Sequence, residues 1–263
     1  GFTIIGPGQE DLDRAGPALI GEPDLGFSAL KNFGPTLVHK TQLKIRKNTK
    51  VKDFMIVDSP GMIDSPVKVN ANDEERIMDR GYDFESVCRW YGERADLILL
   101  FFDPDKPGTT GETLRVLTNA LLAFDHKLHI ILNKADRFEK IHDFARAYGA
   151  LCWNLSKVIP RKDLPRIYTT CIPPAEGEVR EGHGDLANGL EDLRRTRDDV
   201  MAEVFRAPTR RVDNAVTRLR DAASVLLMHL DVCSAARRAR RKELFALYAP
   251  SVLAAAACVS GAG

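Results

Sequence analysis

The sequence predicts an α/β protein, a mostly parallel sheet flanked by helices, with a helical segment appended to it. Three observations carry this. Four short apolar runs rich in branched residues, FMIV (54–57), ADLILLFFD (95–103), LHIILN (128–133) and RIYTTC (166–171), read as buried strands. Helical patterns alternate with them, as in βαβ units. After the last run, the pattern is helical only.

Taken in order, the opening GFTIIGPG has neither an initiator Met nor a basic stretch ahead of an apolar one, so it does not read as a signal peptide. FMIV then ends in an acidic residue, as a strand does when it delivers a side chain to a sheet edge. DFESVCRWYGER (83–94) and TGETLRVLTNALLAF (110–124) place apolar residues three and four apart on either side of the second strand. FEKIHDFARAYGALCWNLSKV (138–158) does the same through Phe138, Ile141, Phe144, Tyr148, Leu151 and Leu155. IPPAEGEVREGHGD, from 172, combines prolines, glycines and charges and reads as a boundary loop. Beyond it, apolar positions 212, 215, 216, 219, 222, 223, 226, 227 and 230 keep helical spacing for about six turns and call for a covering partner helix. The expected domains are 1–175 for the sheet and 185–250 for the helical segment.

Composition bounds the possibilities. A 29.2 kDa chain with 44% hydrophobic residues can bury a sizeable core. Lys and Arg total 38 against 37 Asp and Glu, so the overall charge argues for neither nucleic acid nor membrane, and no nucleic-acid partner is expected. Five dispersed cysteines without C-x-x-C spacing read as reduced thiols of a cytoplasmic protein. The Ala-rich end PSVLAAAACVSGAG is shorter than the roughly 20 apolar residues of a membrane span.

Two strand ends carry the chemistry. In DSPG, Asp58 is placed to hold Mg2+ through a water, Gly61 offers a backbone N–H to a terminal phosphate with no side chain in the way, and Ser59 and Pro60 lie between them. In NKAD, Asn133 and Asp136 face a crevice at the sheet edge. There Asp136 can accept paired hydrogen bonds from a base while the stem of Lys134 lies along the ring. Either four-residue pattern alone is weak. In this order, each at a strand end, with a strand and two helices between them, they indicate a nucleotide-binding domain of GTPase type, with Asp58 and Asp136 carried by neighbouring strands to opposite ends of one nucleotide.

The usual phosphate cradle G-x-x-x-x-G-K-[ST] does not occur in the 263 residues. PGTTGET (107–113) imitates it, but Glu112 stands where the lysine belongs, so the segment reads as a turn and helix N-cap. His126 and His129 are expected at the surface flanking a strand, far from any metal-binding cluster, and Trp90 and Trp153 on apolar helix faces, in core or interface.

RGYDFESVCRWYGERADLILLFFDPDK (80–106), KLHIILNKADRFE (127–139) and RAYGALCWNLSKVI (146–159) resemble, in register, the G domain of the EH-domain-containing ATPases of the dynamin superfamily. The resemblance runs from residue 1 to about 230. It implies a phosphate-loop nucleotide-hydrolase fold of dynamin type, and it places the family's phosphate loop and first switch before Gly1, so that the chain would be a fragment or an incomplete gene model. A chain without that loop is expected to hydrolyse almost nothing, and no catalytic residue is assigned within it. The resemblance also implies ATP or GTP as ligand, Mg2+ as cofactor, dimers or larger oligomers formed through the G domain, and endocytic or vesicle trafficking on endosomal or plasma membrane. Whether the base is adenine or guanine stays open. For lipid contact it suggests a helical tip at ARRARRKELF (236–245), with Arg237, Arg238, Arg240, Arg241 and Lys242 ahead of Leu244 and Phe245; a solvated helix end is the alternative. A non-catalytic relative serving as an assembly or lipid-binding scaffold is the competing function.

Overall fold

The computed structural model describes residues 1–62, 80–104, 111–138, 140–160, 163–172 and 187–260. The chain divides into a unit of Gly1–Arg210 and a second of Arg211–Gly263. The boundary loop from 172 and the turn at 107–110 lie almost wholly outside the described residues.

Two sheets build the first unit. One joins β1 (Thr3–Pro7), β2 (Leu12–Ala15), β3 (Gln42–Arg46) and β4 (Ile56–Asp58) in the order β2-β3-β1-β4. The other joins β5 (Ile98–Phe102), β6 (Leu128–Leu132) and β7 (Ile167–Thr169) in that order. The last three predicted strands are parallel neighbours, as their alternation with helices requires. The first is not: β4 runs antiparallel to β1, pairing Ile4 with Val57 and Thr3 with Asp58, and β2 is antiparallel to β3. Three strands, β1 to β3, were not expected at all, and they supply the partners that turn the first sheet into a mixed one.

The main core cluster joins Leu100, Ile130 and Leu132 of the second sheet to Phe2 and Leu37 beside the first, while Ile4 and Leu43 of the first sheet form a smaller cluster with Leu19. Central strand β6 buries Ile130, Ile131 and Leu132 completely, each worth about 1.5–3 kcal/mol against exposure. Strands β4 and β5 end their respective sheets and leave Ile56 and Phe101 exposed.

Helices fill in around this core. Short α1 (Gly16–Ile20) approaches α2 (Pro35–Lys40) so closely that a Cβ on Gly16 would fall 1.7 Å from the Val38 carbonyl oxygen, a contact only glycine permits. In α3 (Phe84–Arg94), Asp83 caps the first turn by accepting the Ser86 N–H at 3.1 Å, and Phe84, Val87 and Trp90 form the buried face. The helix expected over 110–124 is broken: α4 (Gly111–Arg115) passes into a π turn at Val116–Leu121 and a 3-10 turn at Leu122–Lys127. Phe124 leaves helical geometry there, its ring packing against Gly92 of α3. Helix α5 (Ile141–Ser156) buries Leu151 and Leu155 but leaves Trp153 66% exposed. Helix α6 (Ala187–Phe205) packs on β7, and α7 runs from Ala207 to Ser260. On α7 the apolar stripe stays open, with Val212, Val216, Leu219, Leu226, Leu227 and Leu230 all exposed.

His129 differs from its expected surface place. It lies within β6, half buried, its ring stacked on Tyr168 at 5.5 Å. Cys88, Cys152, Cys171 and Cys233 are free, and burial pushes the Cys88 thiol up to about 12, which keeps it protonated and unreactive.

Candidate functional site

Asp58 is the last residue of β4, held by the β1 ladder, and its side chain is exposed. Ser59 and Gly61 are exposed and Pro60 half buried. Among the described residues nothing lies within 4 Å of where a Cβ on Gly61 would sit, and its φ is not in the left-handed region. The loop is tied back at its far end, where the Arg80 guanidinium donates to the Gly61 carbonyl at 3.0 Å.

The second loop begins as β6 ends. The Asn133 N–H donates to the Phe102 carbonyl at 3.0 Å, extending the β5–β6 ladder by one bond. Lys134 then adopts a left-handed conformation with φ of 57°, unusual for a non-glycine residue, and its ammonium pairs with Asp103 at 2.5 Å. Asp136 sits half buried in a 3-10 turn at Ala135–Arg137, and α5, expected from 138, begins at Ile141. Ala135 is buried against Cys171, Leu193 and Phe144.

Two residues outside both motifs shape this loop. Buried Thr170 donates its hydroxyl to Asn133 Oδ1 at 3.2 Å, and its backbone carbonyl accepts the Ala135 N–H at 3.1 Å. Asp103 anchors Lys134. Both stand just beyond strand carboxyl ends, at RIYTTC and ADLILLFFD, and the rule that ligands bind beyond such ends was the signal that could have flagged them.

The motifs do not, however, end neighbouring strands. β4 closes the first sheet and β6 is the middle of the second, so Asp58 and Asp136 belong to different sheets. A cavity of about 270 Å³, lined by Arg80, Ser86, Arg89, Glu112, Arg115 and Asn119, has no motif residue among the described residues of its wall and meets DSPG through the Arg80–Gly61 hydrogen bond. Glu112, in place of a phosphate-loop lysine, is the ion-pair partner of Arg80. Among the described residues no three acidic, histidine or cysteine side chains gather to hold a metal, and no helix is long and apolar enough to cross a membrane. Arg237, Arg238, Arg240, Arg241 and Lys242 are exposed, but within the continuous helix α7 rather than at a helix tip.

Strand-end acidic loops beside a parallel β5–β6–β7 layer, with helices packed on them, define an α/β protein compatible with a G-domain-like fold. Homology makes this more specific. Over most of its length the chain is similar to proteins named EH domain-containing proteins. It is 27% identical over 234 residues to EH domain-containing protein 1 of Arabidopsis thaliana, covering 89% of this chain and 40% of that protein. It is 28% identical over 236 residues to EH domain-containing protein 2 of the same plant, covering 87% and 41%. Against EH domain-containing protein 2 of Homo sapiens, identity rises to 34% over 167 residues, covering 64% and 29%. The chain thus spans between 29% and 41% of the length of these relatives. No family model matches it.

Proposed function

We propose that this chain is part of a dynamin-like, nucleotide-dependent membrane-remodelling protein, with residues 1–175 contributing to a nucleotide site and 185–250 to a helical domain. The observation that carries the reading is positional. DSPG begins on the last residue of β4 and NKAD on the first residue after β6, in a homologue of the EH domain-containing proteins. In this reading Gly61 gives its N–H to the terminal phosphate, with Ser59 and Pro60 shaping the turn before it. Asn133 and Asp136 take the base of ATP or GTP, and the Lys134 stem, drawn by Asp103, lies along the ring. An exposed Gly61 with open space at its Cβ suits close approach of a ligand. Asp58 is an exposed carboxylate, which suits Mg2+, an ion bound by one or two carboxylates together with phosphates and water. When bound, the ion would neutralise phosphate charge.

Self-association is part of the same reading, with the 66% exposed Trp153 on α5 as a contact residue of the aromatic type enriched at interfaces. So is peripheral attachment to an anionic endosomal or plasma membrane through the five basic residues at 237–242. The absence of G-x-x-x-x-G-K-[ST] from the sequence favours a second reading for these residues taken alone, a scaffold without turnover.

Titration of the full chain with fluorescent ATP and GTP analogues in Mg2+, beside an Asp136→Ala variant, tests the proposal. The wild type should bind at least one analogue, the variant about tenfold more weakly, the scale of losing a charged hydrogen-bonding pair. Hydrolysis should stay at the buffer rate, and sedimentation of the same samples should show a dimer or larger. Equal affinity in both forms would refute the assignment of Asp136, and Mg2+-dependent turnover would refute the scaffold reading.

A further inference from the structure

Arg80 belongs to neither motif, yet it is fixed from several sides. Its Nε and Nη2 donate to the two carboxylate oxygens of Glu112 at 3.0 and 2.6 Å, a bidentate pair in which the two side chains are 15% and 16% exposed. The guanidinium lies 4.2 Å over the Phe84 ring, and the Arg80 carbonyl accepts from Lys40 Nζ at 3.1 Å. The next residue, Gly81, turns the chain with φ of +75°, against Thr36. So anchored, Nη2 also reaches the Gly61 carbonyl at 3.0 Å, nineteen positions back in the chain.

We propose that Arg80 is the positioning residue of the Gly61 loop. Glu112 and Phe84 hold the guanidinium plane, and the plane holds the 61–62 peptide, presetting the segment whose N–H is assigned to the terminal phosphate of a nucleoside triphosphate. The ligand half of this proposal rests on the nucleotide reading above; the holding of the loop does not. A flexible Gly loop must be ordered at the moment of binding, and a donor already fixed by its own ion pair removes part of that entropy loss beforehand. Lysine cannot substitute, because a point ammonium lacks the planar fork that serves Glu112 along one edge while still reaching Gly61. Glu112, read from the sequence as a mismatch in a false phosphate loop, acquires a role as the anchor.

The test uses the full chain without ligand and reads backbone order by NMR relaxation. In Arg80→Ala and Arg80→Lys the amide order parameters of Gly61 and Met62 should fall from the rigid range of about 0.85 toward the flexible range below about 0.6, with Glu112→Gln between these variants and the wild type and the β6 amides unchanged. Arg80→Lys should nevertheless melt close to the wild type, because it keeps the ion pair. Wild-type-like order in Arg80→Lys, or a Gly61 amide already in the flexible range in the wild type, would overturn the proposal. A second arm compares ATP with ADP, and GTP with GDP, in Mg2+: the preference for triphosphate should fall about tenfold in Arg80→Lys. A preference left intact overturns the ligand half. A wild type that binds no nucleotide defeats the functional reading, while the order parameters still decide whether Arg80 holds the loop.

Discussion

Replacing Lys127 by Met should destabilise the first unit by about 2–3 kcal/mol. Lys127 is only 4% exposed, although a long cation is seldom buried without partners. Its ammonium donates to the Ala95 carbonyl at 2.7 Å and to the Glu93 carbonyl at 3.3 Å, the last acceptors of α3, and lies 5.0 Å from the Phe124 ring. A cation at a helix C-terminus contributes about 0.3–2 kcal/mol, and hydrogen bonds to a charged group about 1.5–3 kcal/mol each. The penalty for taking the ammonium out of water offsets much of that sum, which leaves the 2–3 kcal/mol. Methionine keeps the length and loses the charge, so the loss reports the polar contacts rather than a cavity. Lys157→Met is the internal control: that ammonium also lies 5.0 Å from an aromatic ring, Trp153, but in the open, and its loss should stay below about 0.5 kcal/mol. Urea unfolding followed by tryptophan fluorescence measures both, and for a unit of this size the Lys127 variant should melt roughly 4–12 °C lower. A Lys127 effect no larger than that of Lys157 would refute the argument.

His129 makes stability fall on acidification. Burial, and then the positive charge of Arg210, hold its imidazole below the ordinary value, and its Nδ1 has no hydrogen-bond partner among the described residues. Below about pH 6.5 the unfolded chain takes up a proton that the folded chain refuses until lower pH, so stability is complete above that value and declines as pH drops toward the folded pKa. Melting curves at pH 7.5 and 5.5 should show a smaller acid shift in His129→Phe than in the wild type; equal shifts would contradict this. For the membrane reading, co-sedimentation with phosphatidylserine vesicles should fall when Arg237, Arg238, Arg240, Arg241 and Lys242 are together replaced by Gln, with about 1 kcal/mol lost per charge near the surface. Equal binding by both forms removes lipid contact from this part of α7.

Much of the architecture was legible where local pattern and tertiary environment agree. LHIIL is apolar save for His129 because β6 lies between two strands, and DFESV carries its own cap in Asp83. QLKIR alternates polar and apolar residues, the pattern of a half-buried strand, which is weaker over five residues than a fully apolar run. The break after Arg115 left no local trace, since it depends on Phe124 reaching Gly92 of another helix.

By itself the sequence determined the helix and strand types of the longest periodic segments and the residues available for chemistry at 58–61 and 133–136, because these depend on neighbours along the chain. Only the tertiary structure decided that β4 runs against β1, that Asp58 ends a strand of one sheet while Asp136 lies in a turn after a strand of the other, that Thr170 and Asp103 shape the Asn133–Lys134 loop, and that Arg80 joins Gly61 to Glu112. Each of these pairs lies some thirty or more positions apart in the chain, save Arg80 and Gly61 at nineteen, and contacts of that reach are fixed by which surfaces the packed core brings together.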